Sequence, residues 1–280
     1  MMSESFKQYP PVPNKLNSPV MDSHCHLDIT ENFSVSDALS KAEQVGVCGI
    51  MQVGCDVASS EWAVKTAQEN SKVLASVAIH PNEAPVIEEK LGRAGLIAAI
   101  ENIADLAIDS RVRAIGETGL DFFRTAKQGL AAQEFSFREH IKIANELNKP
   151  VMVHDRDAHE DVLRVLIQEQ AKAVVFHCYS ADADFARRVS ELGWYLSFAG
   201  TITFKSASNL REALQVTPLE NILVETDAPF LAPTPYRGQT NASYLIPVTL
   251  RFMAAQLQKD EDELAQKVHD NFLRIFGSFE

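Results

Sequence analysis

Short apolar runs rich in β-branched residues alternate along the chain with longer stretches in which Ala, Glu and Lys recur at helical spacing. This alternation is typical of βα units around a parallel sheet. The apolar runs predict eight strands, near residues 19–26, 48–53, 73–79, 113–117, 151–154, 173–177, 194–198 and 222–226. The stretches between them predict helices near 36–46, 57–70, 86–108, 133–148, 158–169, 182–192, 206–215 and 244–258, and a ninth near 261–274. We therefore predict an α/β fold, a single-domain TIM-type (β/α)8 barrel with an extra C-terminal helix.

The length of 280 residues suits one such barrel, so we do not divide residues 20–280. An extended arm, studded with prolines at 10, 11 and 13, precedes it over residues 1–19. The arm lacks the charged start and apolar centre of a signal peptide, and no apolar run approaches the roughly 20 residues of a membrane span. The four cysteines form no C-x-x-C pair, which favours free thiols. We expect a cytoplasmic monomer without membrane contact.

The 26 Lys and Arg residues against 38 Asp and Glu give a net charge of −12. This balance argues against a broad basic face for duplex nucleic acid. It leaves room for a nucleic-acid end, because bound metal ions supply local positive charge that offsets nearby carboxylates.

Potential metal ligands follow the apolar runs at the predicted strand ends. They are His24, His26, Glu117, His154, His177 and Asp227. His24 and His26 lie two residues apart on a strand, so their side chains point to the same face. The carboxyl ends of barrel strands converge on one face of the molecule. Imidazole with carboxylate suits divalent ions, so we predict a centre of two metal ions, Mg²⁺, Mn²⁺ or Zn²⁺.

Two closely spaced ions need a bridging ligand, and a carboxylate has two oxygens to offer. Glu117, central in strand order, is the predicted bridge. The first metal is assigned to His24, His26, Glu117 and Asp227, and the second to Glu117, His154 and His177. Strand alternation predicts that Ile115, Met152 and Val175 point into the barrel with the ligand that follows each of them.

Two further carboxylates are predicted to support the ligands by hydrogen bonds. Alternation along strand eight places Glu225 inside the barrel beside Asp227, where an unpaired carboxylate is costly. Either Glu225 holds a histidine or a metal water, or the strand carries a bulge. Asp22 is predicted to share the face of His24 and to give similar support, with a capping or ion-pair role as the alternative.

Other polar residues just beyond the strand ends are candidates for substrate contacts. They are His80, Arg156, Tyr179, Lys205 and Arg237. Arginine reaches phosphate oxygens bidentately, and exposed aromatic rings stack on unpaired bases. The candidate stacking rings are Phe122, Phe123, Tyr179 and Tyr236, of which we expect half to be packing residues. His140, His159 and His269 lie on predicted helices, where packing or solvated roles are expected.

The chain resembles the TatD family of metal-dependent deoxyribonucleases nearly from end to end. The matching motifs are DSHCHLD at 22–28, IHP at 79–81, IGETGLD at 115–121, VHDR at 153–156, HCYS at 177–180, GTITF at 200–204 and ETDAPFLAP at 225–233. The resemblance implies a TIM barrel, divalent metals on the six ligands named above and hydrolysis of nucleic-acid phosphodiesters, often from the 3′ end of single-stranded DNA. It also implies links to oxidative DNA repair and to hydrolysis of D-aminoacyl-tRNA esters.

One loop departs from the family pattern. Family members usually carry a run like RGKRNEP after strand eight, where this chain has RGQTNAS at 237–243. Gln239 and Thr240 replace two cations, and Ala242 and Ser243 replace an acid and a proline. If this loop holds the polynucleotide, substrate affinity or class is altered while the metal centre is untouched.

For a phosphodiester substrate, we expect Glu117 and Asp227 to be the catalytic carboxylates, with Asp227 orienting or deprotonating the attacking water. The alternative enzyme is a hydrolase of a small ester, lactone or amide on the same centre. Barrels of that kind often bridge their metals with a modified lysine, and the segment 111–125 contains none. A third interpretation is a metal-stabilised scaffold or binding protein, which would have a filled pocket. Gly116 and Gly119 argue against it, because small residues around Glu117 favour an open pocket.

Overall fold

Eight parallel strands close into one barrel in the computed structural model, which describes residues 9–125 and 127–279. The strands are β1 Val20–Cys25, β2 Val47–Val53, β3 Val73–Val77, β4 Val112–Asp121, β5 Val151–Arg156, β6 Val174–Phe176, β7 Tyr195–Phe198 and β8 Ile222–Val224. They pair in sequence order. The N–H of His26 donates to the carbonyl of Ala228 at 2.8 Å, and the N–H of Asp227 donates to that of His24 at 2.9 Å, which joins the two ends. The predicted TIM-type barrel is confirmed.

Helices follow the strands as predicted. Over the described residues they are α1 Val35–Gln44, α2 Val57–Glu69, α3 Glu83–Leu106, α4 Leu130–Leu147, α5 His159–Gln168, α6 Ala183–Glu191, α7 Ser208–Val216, α8 Ile246–Leu257 and α9 Glu261–Phe276. Short 3-10 turns lie at Leu27–Ile29, Lys127–Gly129, Gly200–Thr203, Leu219–Asn221 and Ser243–Leu245. Gly92, with φ +70°, interrupts α3. No helix in the described ranges combines the length and apolar character needed to cross a membrane.

Each strand contributes a side chain to the barrel interior, and β2 adds a second, Val53. The others are Met21, Met51, Leu74, Ala114, Met152, Val175, Tyr195 and Leu223. The extra helix α9 adds Phe272 and Phe276 to this cluster. Phe279 stacks on Phe272 at 5.8 Å and covers Gly49, where an added Cβ would lie 2.2 Å from its ring. The aromatic residues of α9 and its following segment therefore form a floor beneath the barrel.

Strand β4 departs from the predicted alternation. Ala114, rather than Ile115, belongs to the interior cluster, while Ile115 packs in the outer layer between strands and helices. A register shift against β5 between Ile115 and Thr118 then turns Glu117 inward. The inward placement of Met152 and Val175 agrees with the prediction.

The glycines beside Glu117 serve strand packing. A Cβ at Gly116 would lie 2.4 Å from the carbonyl oxygen of Met152, and one at Gly119 would lie 2.0 Å from that of His154. These residues let β4 approach β5 closely across the shifted register. Close packing of the two strands therefore explains these glycines, without the open pocket that the sequence suggested.

Strand β1 also shifts its register, between Asp22 and Cys25. Met21 lies in the interior cluster, so Asp22 lies on the opposite face of the strand. After the shift, His24 points inward and its Nδ1 lies 3.0 Å from the sulfur of Met152. The prediction that Asp22 and His24 share a face is therefore wrong, because the alternation is interrupted between them.

The described part of the N-terminal arm binds to the outside of the barrel. Leu16 is fully buried, and the backbone N–H groups of Asn17 and Ser18 donate to the carboxylate of Asp262, each at 3.1 Å. The hydroxyl of Tyr244 donates to the carbonyl of Pro10 at 2.5 Å. Residues 9–18 therefore link α9 to the segment before α8. The rest of the predicted arm, residues 1–8, lies outside the described residues.

Candidate metal centre

Side chains from several strand ends converge on one buried cluster at the carboxyl end of the barrel. The Nε2 atoms of His24 and His26 lie 3.1 Å apart, as their spacing on the strand predicted. Three overlapping groups place ligand atoms within 4.8 Å of one another. They are His24, His177 and Asp227; His24, His26 and Glu117; and His80, Glu117 and His154. The structure thus brings all six predicted ligands together and adds His80.

Glu117 divides the surrounding imidazoles between its two oxygens. Its Oε2 lies 3.5 Å from Nε2 of His24 and 3.7 Å from Nε2 of His26. Its Oε1 lies 2.5 Å from Nδ1 of His154 and 2.8 Å from Nε2 of His177. Each oxygen therefore faces the imidazoles of one predicted metal, which is the arrangement required of a bridging carboxylate.

Four imidazoles have a hydrogen-bond acceptor behind the ring nitrogen that faces away from Glu117. Nδ1 of His24 faces the Met152 sulfur at 3.0 Å, and Nδ1 of His26 faces the carbonyl of Val53 at 3.1 Å. Nε2 of His154 faces Asp121, and Nδ1 of His177 faces Glu225, each at 3.3 Å. An acceptor holds the proton of a neutral imidazole on the far nitrogen, so the near nitrogen presents a lone pair once the ring has lost its second proton. These four residues fit divalent metal ions, since ligand histidines carry such support.

Glu117 is held ionised among the histidines. Burial favours its neutral form, but the charge of His177 and the hydrogen bond with His154 bring its pKa well below the usual range. Burial also opposes charge on His177, yet Glu117 and Glu225 raise the pKa of its imidazole well above the usual range. Ligation requires neutral imidazole, so metal binding releases protons and weakens as the pH falls.

Glu225 supports a ligand from beneath. Its Oε1 accepts from the backbone N–H of Cys178 at 2.8 Å and lies 3.3 Å from Nδ1 of His177. This is the first of the two roles that the sequence left open. Strand β8 has already ended at Val224, so Asp227 owes its position to the following loop rather than to strand alternation.

Asp22 supports the same loop. Its Oδ1 accepts from the backbone N–H of Thr226 at 2.9 Å, and its Oδ2 accepts from the Thr226 hydroxyl at 2.6 Å. The neighbouring Asp227 has φ +53° and lies with Oδ1 3.5 Å from Nε2 of His26. Burial raises the pKa of the Asp22 carboxyl to about 7. Asp22 thus fixes the backbone that presents Asp227, although it does not lie beside the His24 ring.

Asp121 is a supporting residue that the sequence reasoning missed. Its buried Oδ2 faces His154 and accepts from the side-chain amide of Asn82 at 3.0 Å, while Oδ1 accepts from the N–H groups of Phe123 and Arg124 at 2.9 and 2.7 Å. Burial favours the neutral carboxyl, but hydrogen bonds with His154, Arg124 and Asn82 lower its pKa. The sequence signal for this residue was its position four residues beyond Glu117, at the end of β4. It was overlooked because the strand was predicted to end at residue 117.

The predicted substrate residues divide into two groups. The guanidinium of Arg156 stacks on Phe123 at 4.3 Å, and that of Arg237 stacks on Phe204 at 4.5 Å, so both cations lie exposed at the rim. Lys205 is also exposed, in the segment before α7.

Two of the aromatic candidates pack into the protein. Tyr179 is 3% exposed and its hydroxyl donates to the carbonyl of Asp182 at 2.6 Å, which favours a packing role. Tyr236 is half-buried against the core. Phe122 and Phe123 remain exposed, and Phe230, which the sequence reasoning missed, is 51% exposed with its ring 6.4 Å from that of His26.

The geometry of this site can be set beside known proteins. The family model described as TatD related DNase matches residues 21–277. This chain belongs to the TatD family. The uncharacterized metal-dependent hydrolase TatD of Mycobacterium tuberculosis is 36% identical over 266 residues, which cover 92% of this chain and 98% of the relative. The uncharacterized metal-dependent hydrolase YcfH of Escherichia coli K12 is 37% identical over 264 residues, covering 92% and 95%.

A solved TatD structure has the same fold. The YjjV TatD homolog of Escherichia coli K12 superposes with a TM-score of 0.82 at 26% identity, over 92% of this chain and 97% of that one. The recognition made from the motifs is confirmed, and the TatD chain described here is a metal-dependent hydrolase.

Proposed function

We propose that this protein is a nuclease that uses two divalent metal ions to hydrolyse phosphodiesters of single-stranded DNA, from the 3′ end. The observation that carries the proposal is the position of the Glu117 carboxylate, whose two oxygens face two different sets of imidazoles. A pair of ions suits displacement at phosphorus, where charge develops on both the attacking and the leaving oxygen. Mg²⁺, Mn²⁺ and Zn²⁺ are all compatible with the mixed ligands.

Bound divalent ions would lower the pKa of water and supply positive charge to the reacting phosphate. The protein's own contribution begins with Asp227, whose side chain is 15% exposed beside His24 and His26. A carboxylate that reaches solvent in this way can orient the attacking water and accept its proton. The surrounding carboxylates, Glu225 and Asp22, keep His177 and the Asp227 backbone in place.

The rim supports an unpaired polynucleotide as substrate. Arg156 and Arg237 lie exposed on aromatic faces, where each guanidinium can reach a phosphate oxygen. Phe123 and Phe230 expose 64% and 51% of their surfaces. Stacking of a base on an aromatic ring contributes about 1–3 kcal/mol and requires that the base be unpaired. These features favour single strands over blunt duplex.

The test begins with protein depleted of metal by a chelator and reloaded with Mg²⁺, Mn²⁺ or Zn²⁺. The substrates are 5′-labelled and 3′-labelled single strands, blunt duplex and an aryl ester. We expect the 5′-labelled strand to shorten stepwise and the 3′-labelled strand to release labelled mononucleotide. Turnover of the aryl ester without cleavage of any strand would instead support the small-substrate hydrolase.

Asp227→Asn provides the control for contaminating nuclease. The substitution preserves the size of a side chain assigned to the attacking water, so kcat should fall by more than KM rises. Full activity in this variant would mean that the cleavage does not come from this site.

A further inference from the structure

His80 belongs to a group of ligand atoms that is able to hold a metal, together with Glu117 and His154. Its Nε2 lies 3.4 Å from Oε1 of Glu117, at the distances found for the other imidazoles. Proximity alone therefore does not separate a metal ligand from a hydrogen-bond donor. The hydrogen-bond partner of the other ring nitrogen, Nδ1, separates the two roles.

Nδ1 of His80 accepts a hydrogen bond from the backbone N–H of Asn82 at 3.0 Å. A backbone N–H can only donate, so Nδ1 carries a lone pair and no proton. A neutral imidazole has one N–H, which places the proton of His80 on Nε2. Among the five imidazoles around Glu117 in the described structure, His80 alone has a backbone N–H behind the ring. In the neutral rings, its near nitrogen therefore offers N–H where the other four offer a lone pair.

Further hydrogen bonds hold this ring in place. The backbone N–H of His80 donates to the carbonyl of Cys55 at 2.8 Å. The preceding N–H, that of Ile79, donates to Nε2 of His140 at 3.0 Å, and Nδ1 of His140 donates to the carbonyl of Ser136 at 2.7 Å. His140 is fully buried on α4 and thus anchors the segment that carries His80.

We propose that His80 is not a metal ligand but a neutral hydrogen-bond donor, and that its Nε2–H binds a non-bridging oxygen of the substrate phosphate. A phosphodiester oxygen is an anionic acceptor, and a donor pointed at it strengthens as charge develops. The proposal rests on the phosphodiesterase function proposed above for the choice of acceptor. The position of the proton and the metal count do not depend on it.

The proton is tested directly in the Zn²⁺-loaded full-length protein with ¹⁵N-labelled histidine. Two-bond nitrogen–proton correlations separate protonated, free and metal-bound ring nitrogens, and the His80 signals are identified by their loss in His80→Gln. We expect a protonated Nε2 and a free, unprotonated Nδ1. A metal-bound or unprotonated Nε2 would overturn the proposal, whatever the substrate is.

Metal counting gives an independent measure. His80→Ala should bind as many ions per chain as the wild type, with the same affinity, because the four lone-pair imidazoles and both carboxylates remain. Loss of an ion from His80→Ala, in a protein whose circular dichroism is unchanged, would make His80 a ligand after all.

The donor role is measured with inorganic phosphate as the probe, by calorimetry on the metal-loaded protein. We expect His80→Ala to weaken phosphate binding by about tenfold or more, since a hydrogen bond to a charged group is lost. His80→Gln should largely restore it, because its amide nitrogen reaches the place of Nε2. His80→Asn reaches only the place of Nδ1 and should resemble alanine. Equal phosphate affinity in all four proteins would exclude the donor role, even if nuclease activity were found.

Discussion

Glu117 is the residue on which the electrostatics of the centre depend. Its carboxylate lies within 3.7 Å of five imidazoles while its side chain is only 5% exposed. A buried charge of this kind persists only where its neighbours compensate it. The same carboxylate must therefore hold the histidines together in the absence of metal and, in the proposed two-metal centre, join the two ions.

Glu117→Gln should cut phosphodiesterase turnover by at least about 10²-fold and reduce the metal content from two ions per chain to one. The neutral amide keeps the shape of the side chain but loses the charge that two ions share. Metal analysis of the purified variant checks this.

Glu225→Gln is the matched control. Its amide oxygen can still accept from the N–H of Cys178 and the variant should keep both ions. Two tightly bound ions in Glu117→Gln as well would remove the bridge assignment.

His140 makes stability depend on pH through a single buried ring. Burial lowers its pKa to about 4 from the usual 6.5, so the unfolded chain binds a proton between these values and the folded one does not. Its contribution is complete above pH 6.5 and is lost as the pH falls towards 4. At pH 5 the loss is on the order of 2 kcal/mol relative to pH 7.

His140→Gln should flatten this dependence, although it lowers stability at pH 7. The free energies of unfolding of both proteins are measured by urea titration at pH 7 and pH 5, with chelator present so that ligand protonation contributes equally. Identical losses in the two proteins would show that His140 is not the group that titrates.

The roles of individual site residues were only partly predictable. Spacing and residue type pointed to six residues whose ligand atoms the structure brings together, because strand ends converge and imidazole and carboxylate are ligand groups. The proton on His80 was not predictable, since it is fixed by a backbone N–H that any residue at position 82 except proline would provide. Asp121 was missed because its role depends on β4 continuing past Glu117.

At the scale of elements, the loop between β8 and α8 is where this chain departs from the pattern typical of its family. Gln239 and Thr240 stand between the rim residue Arg237 and Asn241, whose N–H donates to the carbonyl of Pro229 at 3.0 Å. The loop is thus tied to the segment that follows Asp227. A polynucleotide bound at the centre would pass near it.

Gln239→Lys with Thr240→Arg should therefore tighten binding of single strands at low salt and leave kcat nearly unchanged. The salt dependence of affinity should steepen by roughly one to two phosphate contacts, at about 0.7 per contact in the logarithmic slope. Fluorescence anisotropy with labelled oligonucleotides over a range of salt concentrations measures both effects.

A charge-matched control places the same cations at the other end of the barrel, as Gln266→Lys with Ser278→Arg. Both positions are exposed, and they lie on and just beyond α9. Equal steepening in both double variants would assign the effect to net charge, and no change in either would show that the loop does not touch the strand.

The elements themselves followed from the sequence within a few residues, except at β4. Ala114 and Ile115 are both apolar, so hydrophobicity could not decide which of them faces the interior. Simple alternation from Ala114 would place Glu117 on the outer face of β4. The register shift between Ile115 and Thr118 places it on the inner face instead. Alternation from Ile115 named Glu117 correctly because two errors cancelled.

At the scale of the whole molecule, the net charge of −12 surrounds a centre that binds an anion in the function proposed above. The exposed cations stacked at the rim, Arg156 and Arg237, lie where they can offset this field locally. Repulsion at longer range slows the encounter with a polyanion and is screened by salt. Higher ionic strength should therefore weaken binding inside the site and speed the approach to it.

The aromatic floor supplied by α9 has a consequence for biosynthesis. Phe272 and Phe276 complete the interior cluster, yet they leave the ribosome after all eight strands. A nascent chain that has emerged as far as Asp227, just beyond β8, has every candidate metal ligand but an open lower end, with Met21 and Met51 left uncovered. Because domains gain their stability as packed units, we expect the candidate metal site to reach its full stability only after α9 has been synthesised and has packed against the barrel. The stability of the candidate metal site at one end of the barrel thus depends on the helix that packs against the other end.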